Sequence, residues 1–382
     1  DRCTFRELVG DGRRGRRGRR RAERRVSTVF VTGAAGTIGR AVVRRLLAEQ
    51  AVERVRVADQ ATPPAWMAEA CEVVVGDLRD SGVARRAVRG QTHVVHLAAI
   101  VGGIANFHRC PQTLLAANTA LLNAVFDAAI AERVERLVYV SSSMVFERAT
   151  RFPTPEEHID ECPPPRSAYG FSKLAGEVMC RAAHAEHGLE YAICRPFNAY
   201  GPGEMPASEP GIAHVVPDLL HKALRCQRPL EIFGSGRQTR TLTHVDDIAE
   251  GIARCCFHPA AACEDFNISA AEELTVAEIA ELCWQACGND PAEFELRSVP
   301  SFEVDVQRRW PSVEKARRLL GDTPLTLLLN GHAARAAGEI EAAERSFRSL
   351  AARRDGGATL GHRGLAQLAV ERGAEGEAAE AA

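Results

Sequence analysis

The 382-residue chain has no apolar run approaching 18 residues, so no transmembrane span is expected. Its twelve cysteines are scattered without the paired spacing of a metal site, and no metal is expected. Cys255 and Cys256 are adjacent, and Cys283 and Cys287 lie one helical turn apart; both pairs read as reduced thiols of a cytoplasmic protein. No apolar segment follows the basic residues near the start, which argues against a secretory signal. Positive charge is concentrated in one place. Residues 1–26 hold 11 arginines against 4 acids, net +7, leaving −9 for the rest of a chain whose total is −2. The run from Gly12 to Arg21 lacks apolar periodicity, so residues 1–25 are expected to be a disordered, Arg-rich tail. Arginine–glycine runs also arise from translated GC-rich leader sequence, and no nucleic-acid partner is expected.

What is present points elsewhere. At 46% hydrophobic and 26% charged, the chain can bury a large core in two or more domains. Over the first 200 residues strands alternate with helical patterns, the mark of βαβ units and a parallel sheet. Val26 to Val31 is a short β-branched run. Gly33, Gly36 and Gly39 follow it, then a helical pattern through Ile38, Val42, Val43, Leu46 and Leu47. Strand, glycine turn and helix in that order form a dinucleotide fingerprint, with pyrophosphate held at the helix N-terminus. Asp59 ends a second strand 20 residues after Gly39. A carboxylate there accepts hydrogen bonds from the adenosine ribose and repels a 2′-phosphate, favouring NAD over NADP.

A second constellation carries chemistry. Leu137 to Val140 is a strand that delivers Ser141, Ser142 and Ser143 to its C-terminal end, where open α/β sheets bind ligands. Tyr169 and Lys173, at i and i+4, share a helix face. A phenol acting as a base near pH 7 must titrate roughly 3 units below its value in water. Lys173 and a positive nicotinamide ring are the expected sources of that shift.

The glycine spacing, the Tyr-x-x-x-Lys pair and later motifs together resemble the extended short-chain dehydrogenase/reductase family, the NAD-dependent sugar-nucleotide epimerases and dehydratases. The resemblance covers roughly Val26 to Gly321. It implies a Rossmann-type doubly wound α/β sheet, a smaller α/β substrate domain and NAD as cofactor. Thr37 and Ile38 then join the glycines at the phosphates. Asp77 contacts adenine beside Leu78, and Ala98, Ala99 and Asn118 lie along the cofactor. The catalytic hydroxyl stands four residues before an aromatic, here Phe146, which selects Ser142; Lys173 also reaches the nicotinamide ribose. The segments Arg195–Pro202 and Phe233–Asp247 look like sugar-nucleotide-binding segments. In them Asn198 and Arg240 hold the substrate's diphosphate, with Arg308 or Arg309 adding a second contact. Ser143 and His214 complete the substrate side, and a homodimer is implied.

Reaction type follows from what flanks Ser142. Dehydratases of this kind place an Asp-Glu pair after the hydroxyl; here Ser143 and Met144 stand there and cannot transfer that proton. Decarboxylases of UDP-glucuronate resemble the chain near Trp310 but usually keep the Glu. GDP-fucose synthases and 3,5-epimerases share a loop like Ala99 to Ile104 and the residue aligned with His214, yet their partner cysteine falls at Met144. The complete set is Ser-Tyr-Lys plus NAD, so 4-epimerisation of a nucleoside-diphosphate hexose through a 4-keto intermediate is the leading expectation. A catalytically inactive NAD-binding sensor or scaffold is the alternative of another class. The expected division is 26–200 with 234–268 for the Rossmann domain and 201–233 with 269–321 for the substrate domain. Residues 322–382 depart from the family: a period of 35 residues between Gly338 and Gly373 suggests helical repeats of tetratricopeptide type, resembling the C-terminal region of bacterial haem-biosynthesis-associated proteins.

Overall fold

The computed structural model describes residues 26–101, 109–207, 213–301, 306–321, 340–351 and 365. The expected Arg-rich tail and most of the expected repeat segment lie outside them. Seven strands form one parallel sheet: β1 (Ser27–Thr32), β2 (Val52–Asp59), β3 (Glu72–Val75), β4 (His93–His96), β5 (Arg136–Val140), β6 (Glu190–Pro196) and β7 (Glu264–Ile268). Their spatial order is β7-β6-β5-β4-β1-β2-β3. The order reverses between β1 and β4, which opens a crevice at the strands' C-terminal ends.

Both faces of the sheet are covered, which is why its strands read as near-continuous apolar runs. Along β1, Val29 and Val31 face one layer and Phe30 the other. The first layer contains α1 (Thr37–Leu47) with a late helix, Val245–Phe257. The second contains α2 (Ser81–Val88), α3 (Pro111–Ala131) and α4 (Ala168–His187). Asp80 caps α2 by accepting from the N–H groups of Gly82 and Val83, and Ser167 caps α4 by accepting from Gly170. Gly188, at φ 71, ends α4 in the left-handed region.

Helix α3 qualifies the expectation about long apolar segments. Its composition and 21-residue length would suffice to cross a membrane, although Asn118 and Thr119 interrupt any continuous run. It is a core helix, packed between α2 and α4 through Leu121, Leu122, Val125 and Phe126.

A second hydrophobic cluster lies beside the sheet. Here α5 (Val215–Leu224) packs on a helix at Val276–Ala286, over the parallel pair Leu230–Phe233 and Leu296–Val299. Trp284 is fully buried there and donates its indole N–H to the Asp290 carbonyl at 2.8 Å. With Val245–Phe257 as α6 and Val276–Ala286 as α7, α8 (Glu314–Leu320) follows. It corrects the expected division: placed with the substrate domain, it packs instead on the sheet, Leu320 entering the first core layer and Lys315 pairing with Asp265 on β7. The long-range ion pair that selects its partner could not be read from the sequence. In the tail, the helix Ile340–Ala351 buries Ala343 and Phe347 in a small cluster with Ile340 and Leu365.

Candidate active site

The turn between β1 and α1 is shaped by two glycines. Gly33 has φ 68, and a Cβ there would lie 2.9 Å from the Ala98 backbone. At Gly39 a Cβ would lie 2.3 Å from the Gly33 carbonyl oxygen, so only glycine lets α1 start this close to the strand. Gly36 occupies the N-cap position without a side-chain cap, and the first turn of α1 carries no acid. Its backbone N–H groups, at Thr37, Ile38 and Gly39, border a cleft of ≈ 1020 Å³. An uncapped N-terminus of this kind carries the donors and partial positive charge that a diphosphate requires.

Asp59 stands at the end of β2, where Oδ2 accepts from Ala35 N at 2.9 Å and Oδ1 from Ala61 N at 3.1 Å. The carboxylate is thus fixed facing the cleft with lone pairs left for hydroxyl donors. The cradle and Asp59 together fit a dinucleotide. Ala98, Ala99 and Leu78 line the same cleft. Two expected cofactor residues do not. Asp77 turns to Arg79, whose hydrogen bonds pull its carboxyl down to about 2, and Leu78 and Arg79 line the cleft in its place. Asn118 is buried: its Oδ1 accepts from Ile100 N at 2.7 Å, and its Nδ2 donates to Ile100 O and Ser172 Oγ, both at 3.2 Å. It ties the segment after β4 to α4.

At the end of β5, Ser142 leaves the strand in extended conformation and caps a 3-10 turn, Ser143–Phe146, accepting from Met144 N at 3.2 Å. Its hydroxyl meets the Tyr169 phenol in a hydrogen bond. Lys173 lies one turn along α4; its Nζ donates to the Val140 carbonyl at 2.8 Å and sits 5.9 Å from the centre of the Tyr169 ring. Burial raises the Tyr169 phenol above its ordinary value, opposed by the Ser142 hydrogen bond and by the charge of Arg309. Arg309 therefore supplies the local cationic pull that had been expected from Lys173. Burial pushes the Lys173 ammonium down to about 8, opposed by Glu177 one turn further on.

Beneath this site lies a closed ion cluster. Glu177 is fully buried and accepts from Ser141 Oγ at 2.7 Å and from Arg195 at 2.8 and 2.7 Å. Arg195 also donates to Asp265 at 2.7 Å, and Lys315 reaches the same carboxylate at 2.6 Å. The segment beginning at Arg195 was expected to bind substrate; its arginine is instead wholly interior and joins β5, α4, β6 and β7.

On the other wall, Asn198, at φ 37, donates to the Thr241 carbonyl at 3.1 Å and lines the cleft with Ser143. Arg240 lines it too, its Nη1 held by the carbonyls of Thr239 and Val306 at 2.8 Å each. His214 hydrogen-bonds Glu204 through Nδ1, and both border the cleft. Of the adjacent arginines, Arg308 is turned away: Glu273 accepts from it at 2.7 and 2.8 Å, and its guanidinium stacks on Phe152 and Trp310. Arg309 enters the cleft, with Nη2 2.8 Å from Met144 Sδ and Nη1 3.5 Å from Asn198 Oδ1. Of the two candidates Arg308 and Arg309 it is Arg309 that lines the cleft, and Glu204 is a lining residue that the sequence did not single out. Residues 102–104 of the expected substrate loop lie outside the described residues.

A glycine-cradled cleft at the switch point of a doubly wound sheet, with Ser, Tyr and Lys at its centre, defines a dinucleotide-dependent enzyme class. Residues 29–269 match the family model for the NAD-dependent epimerase/dehydratase family, and the chain belongs to that family. NAD is the cofactor of this family. Among curated proteins, the chain is 32% identical to a putative GDP-L-fucose synthase of Oryza sativa subsp. japonica, over 66% of this chain and 71% of that one. Among solved structures it resembles the UDP-glucose 4-epimerase of Thermotoga maritima, at TM-score 0.68 and 27% identity, covering 77% of this chain and 92% of that one. It also resembles MoeE5 in complex with UDP-glucuronic acid and NAD, at TM-score 0.67 and 28% identity, covering 78% and 93%.

Proposed function

We propose that the chain is an NAD-dependent nucleotide-sugar epimerase that inverts C4 of a nucleoside-diphosphate sugar through a 4-keto intermediate. The observation that carries this reading is the hydrogen-bonded Ser142–Tyr169 pair, with Lys173 behind it, while Met144 fills the place where a proton carrier for elimination would stand. Tyr169 takes the proton of the C4 hydroxyl and later returns it to the same oxygen, with Ser142 orienting that oxygen. NAD held by Gly33, Gly36, Gly39 and Asp59 would supply the hydride exchange at C4, return to the opposite face of the carbonyl giving the inversion. Arg240 and Asn198 hold the diphosphate, and the apolar side chains Leu219, Ile232 and Val276 enclose the nucleoside end of the cleft. Phe171 and Val178, seven residues apart and exposed on α4, give a homodimer an apolar contact.

In such a cycle the cofactor is regenerated at every turnover. Absorbance at the NADH band during many turnovers should stay flat while epimer accumulates; NADH formed in proportion to product makes the enzyme a dehydrogenase. The hydrogen-bonded His214–Glu204 pair favours a second reading, 3,5-epimerisation of a GDP-sugar, since an imidazole beside a carboxylate can carry protons to carbon. Turnover in deuterated water separates the two: label enters C3 or C5 by this second route, and none enters C4 by the first.

A further inference from the structure

The chain has three lysines, and two of them sit in ion pairs: Lys222 with Asp218 at 2.6 Å, and Lys315 with Asp265 at 2.6 Å and Glu264 at 2.8 Å. Lys173 is the exception. It is buried, and among the described residues its Nζ forms no ion pair and donates to one acceptor, the Val140 carbonyl.

What receives the ammonium is aromatic. Nζ lies over the Tyr139 ring, 5.4 Å from its centre, and over the Tyr169 ring at 5.9 Å. Tyr139 stands on β5, one residue before Val140, and the reaction proposed above does not use it. Its hydroxyl donates to the Lys173 carbonyl at 3.3 Å, so one side chain meets Lys173 at both its backbone and its ammonium. Burial pushes the Tyr139 phenol far up, which keeps it a neutral donor. The ring is held from two further sides, by the edge-on Phe126 ring at 6.4 Å and by His96 at 6.0 Å.

Helix α4 makes room for that ring. Gly176 comes three residues after Lys173, inside a 20-residue helix where glycine is unfavourable. A Cβ there would lie 2.3 Å from both Cζ and Oη of Tyr139, so only glycine admits the ring. The ring fills the gap that glycine leaves and turns its face to the lysine. A ring face attracts a cation most strongly where water is excluded, and both partners here are buried.

We infer that Tyr139, seated by Gly176, is a positioning residue for Lys173, its ring face holding the ammonium charged and in place beside Tyr169. The inference rests on Lys173 serving the reacting Ser142–Tyr169 pair. Two other titratable groups act on Lys173: Glu177 on its own helix, which favours the charge, and His96 at the end of β4, which stays neutral down to about 3. Burial already brings the ammonium down to about 8, so losing the ring face uncharges much of it near neutral pH.

The test is an NMR pH titration of the full chain labelled at lysine Cε, which gives three signals; Lys173→Arg identifies the relevant one. In the wild type it should titrate at about 8. Tyr139→Leu should lower that midpoint by about one pH unit, while Tyr139→Phe, which keeps the ring, should leave it within about 0.3. Gly176→Ala drives the ring from its place and should act as Tyr139→Leu does, and the two combined should lower the midpoint no further. A merely structural role moves the melting temperature and leaves the midpoint where it was. An unchanged midpoint in Tyr139→Leu, or an equal drop in Tyr139→Phe, overturns the inference; if Tyr139→Leu does not fold, Gly176→Ala decides in the same way. Turnover is scored separately: the expected shift in a protein that converts no nucleotide sugar leaves the seat of Lys173 standing and removes the reaction it was read to serve.

Discussion

Thr32 donates its hydroxyl proton to Nδ1 of His96 across 2.9 Å. The direction follows from counting lone pairs. Thr32 Oγ1 already accepts the N–H groups of Leu97 at 3.0 Å and Ala98 at 2.9 Å, so its own proton has one place left to go. His96 is thereby fixed with its proton on Nε2. The knot joins the ends of β1 and β4 directly behind the glycine turn.

Replacing Thr32 with Val removes the hydroxyl but not the shape, and leaves two partly buried N–H groups unmet. A fully buried loss of this kind costs about 1–3 kcal/mol and a partly buried one less, so Thr32→Val should destabilise by about 1–3 kcal/mol, whereas Thr32→Ser should cost far less. Denaturant unfolding of the two variants measures this. Equal stability of Val and wild type would show that the hydroxyl is dispensable.

The same neighbourhood sets the response to acid. Burial pushes His96 down to about 3, with the charge of Lys173 adding to it, and pushes His93 down to about 4, with Arg136 adding to it. Both are lowered from about 6.5, so between that pH and about 4 the unfolded chain binds more protons than the folded one. Their contribution is complete above 6.5 and is lost as pH falls towards 3. Between pH 7 and pH 5 the two histidines together should remove about 4 kcal/mol. Unfolding midpoints across that range check the slope, and His93→Leu should remove about half of it; a flat profile contradicts the assignment.

The parallel sheet, the glycine turn and the Tyr169–Lys173 pair were legible because each rests on local sequence: short β-branched runs alternating with helical patterns, a glycine triplet, one helical turn. Arg308 and Arg309 could not be told apart, since they are adjacent and it is Glu273 and Phe152, both distant in sequence, that together with the neighbouring Trp310 turn one of them outward. Arg195 carried a motif that suggested ligand contact, but its role depends on Glu177 and Asp265, brought together from α4 and β7. The same limit hid Glu204, which is defined only by folding of its loop onto His214. The pairing of Asp77 with Arg79, two residues away, was not read from the sequence either, and it competes with any ligand for the carboxylate oxygens.

The buried cluster around Arg195 is also the most exacting test of the fold. Removing one partner of a fully buried pair strands the other charge, at a cost of about 3–5 kcal/mol. Arg195→Met leaves Glu177 with Ser141 and only the half-exposed Arg181 at 3.9 Å, and Asp265 with Lys315, and should lower stability by about that amount. Arg181, more than a third exposed and 3.7–3.9 Å from the same carboxylates, should cost less than about 1 kcal/mol as Arg181→Gln. Similar effects from both substitutions would mean that the cluster is solvated and not closed.

Tyr169 separates binding from chemistry. The phenol touches Ser142, while the cradle is built from Gly33, Gly36, Gly39 and Asp59, and Lys173 takes its position from the Val140 carbonyl. Tyr169→Phe keeps the ring in its packing against Leu114, Met144 and Val306 and deletes only the proton carrier. Turnover should fall by about 10²- to 10⁴-fold, the usual share of general acid–base catalysis, with NAD affinity changed by no more than a few fold. Ser142→Ala should lose less, since it orients the oxygen without holding its proton. Nucleotide-sugar turnover at the wild-type rate in Tyr169→Phe would remove the phenol from the mechanism, and loss of NAD binding would move it into the cradle.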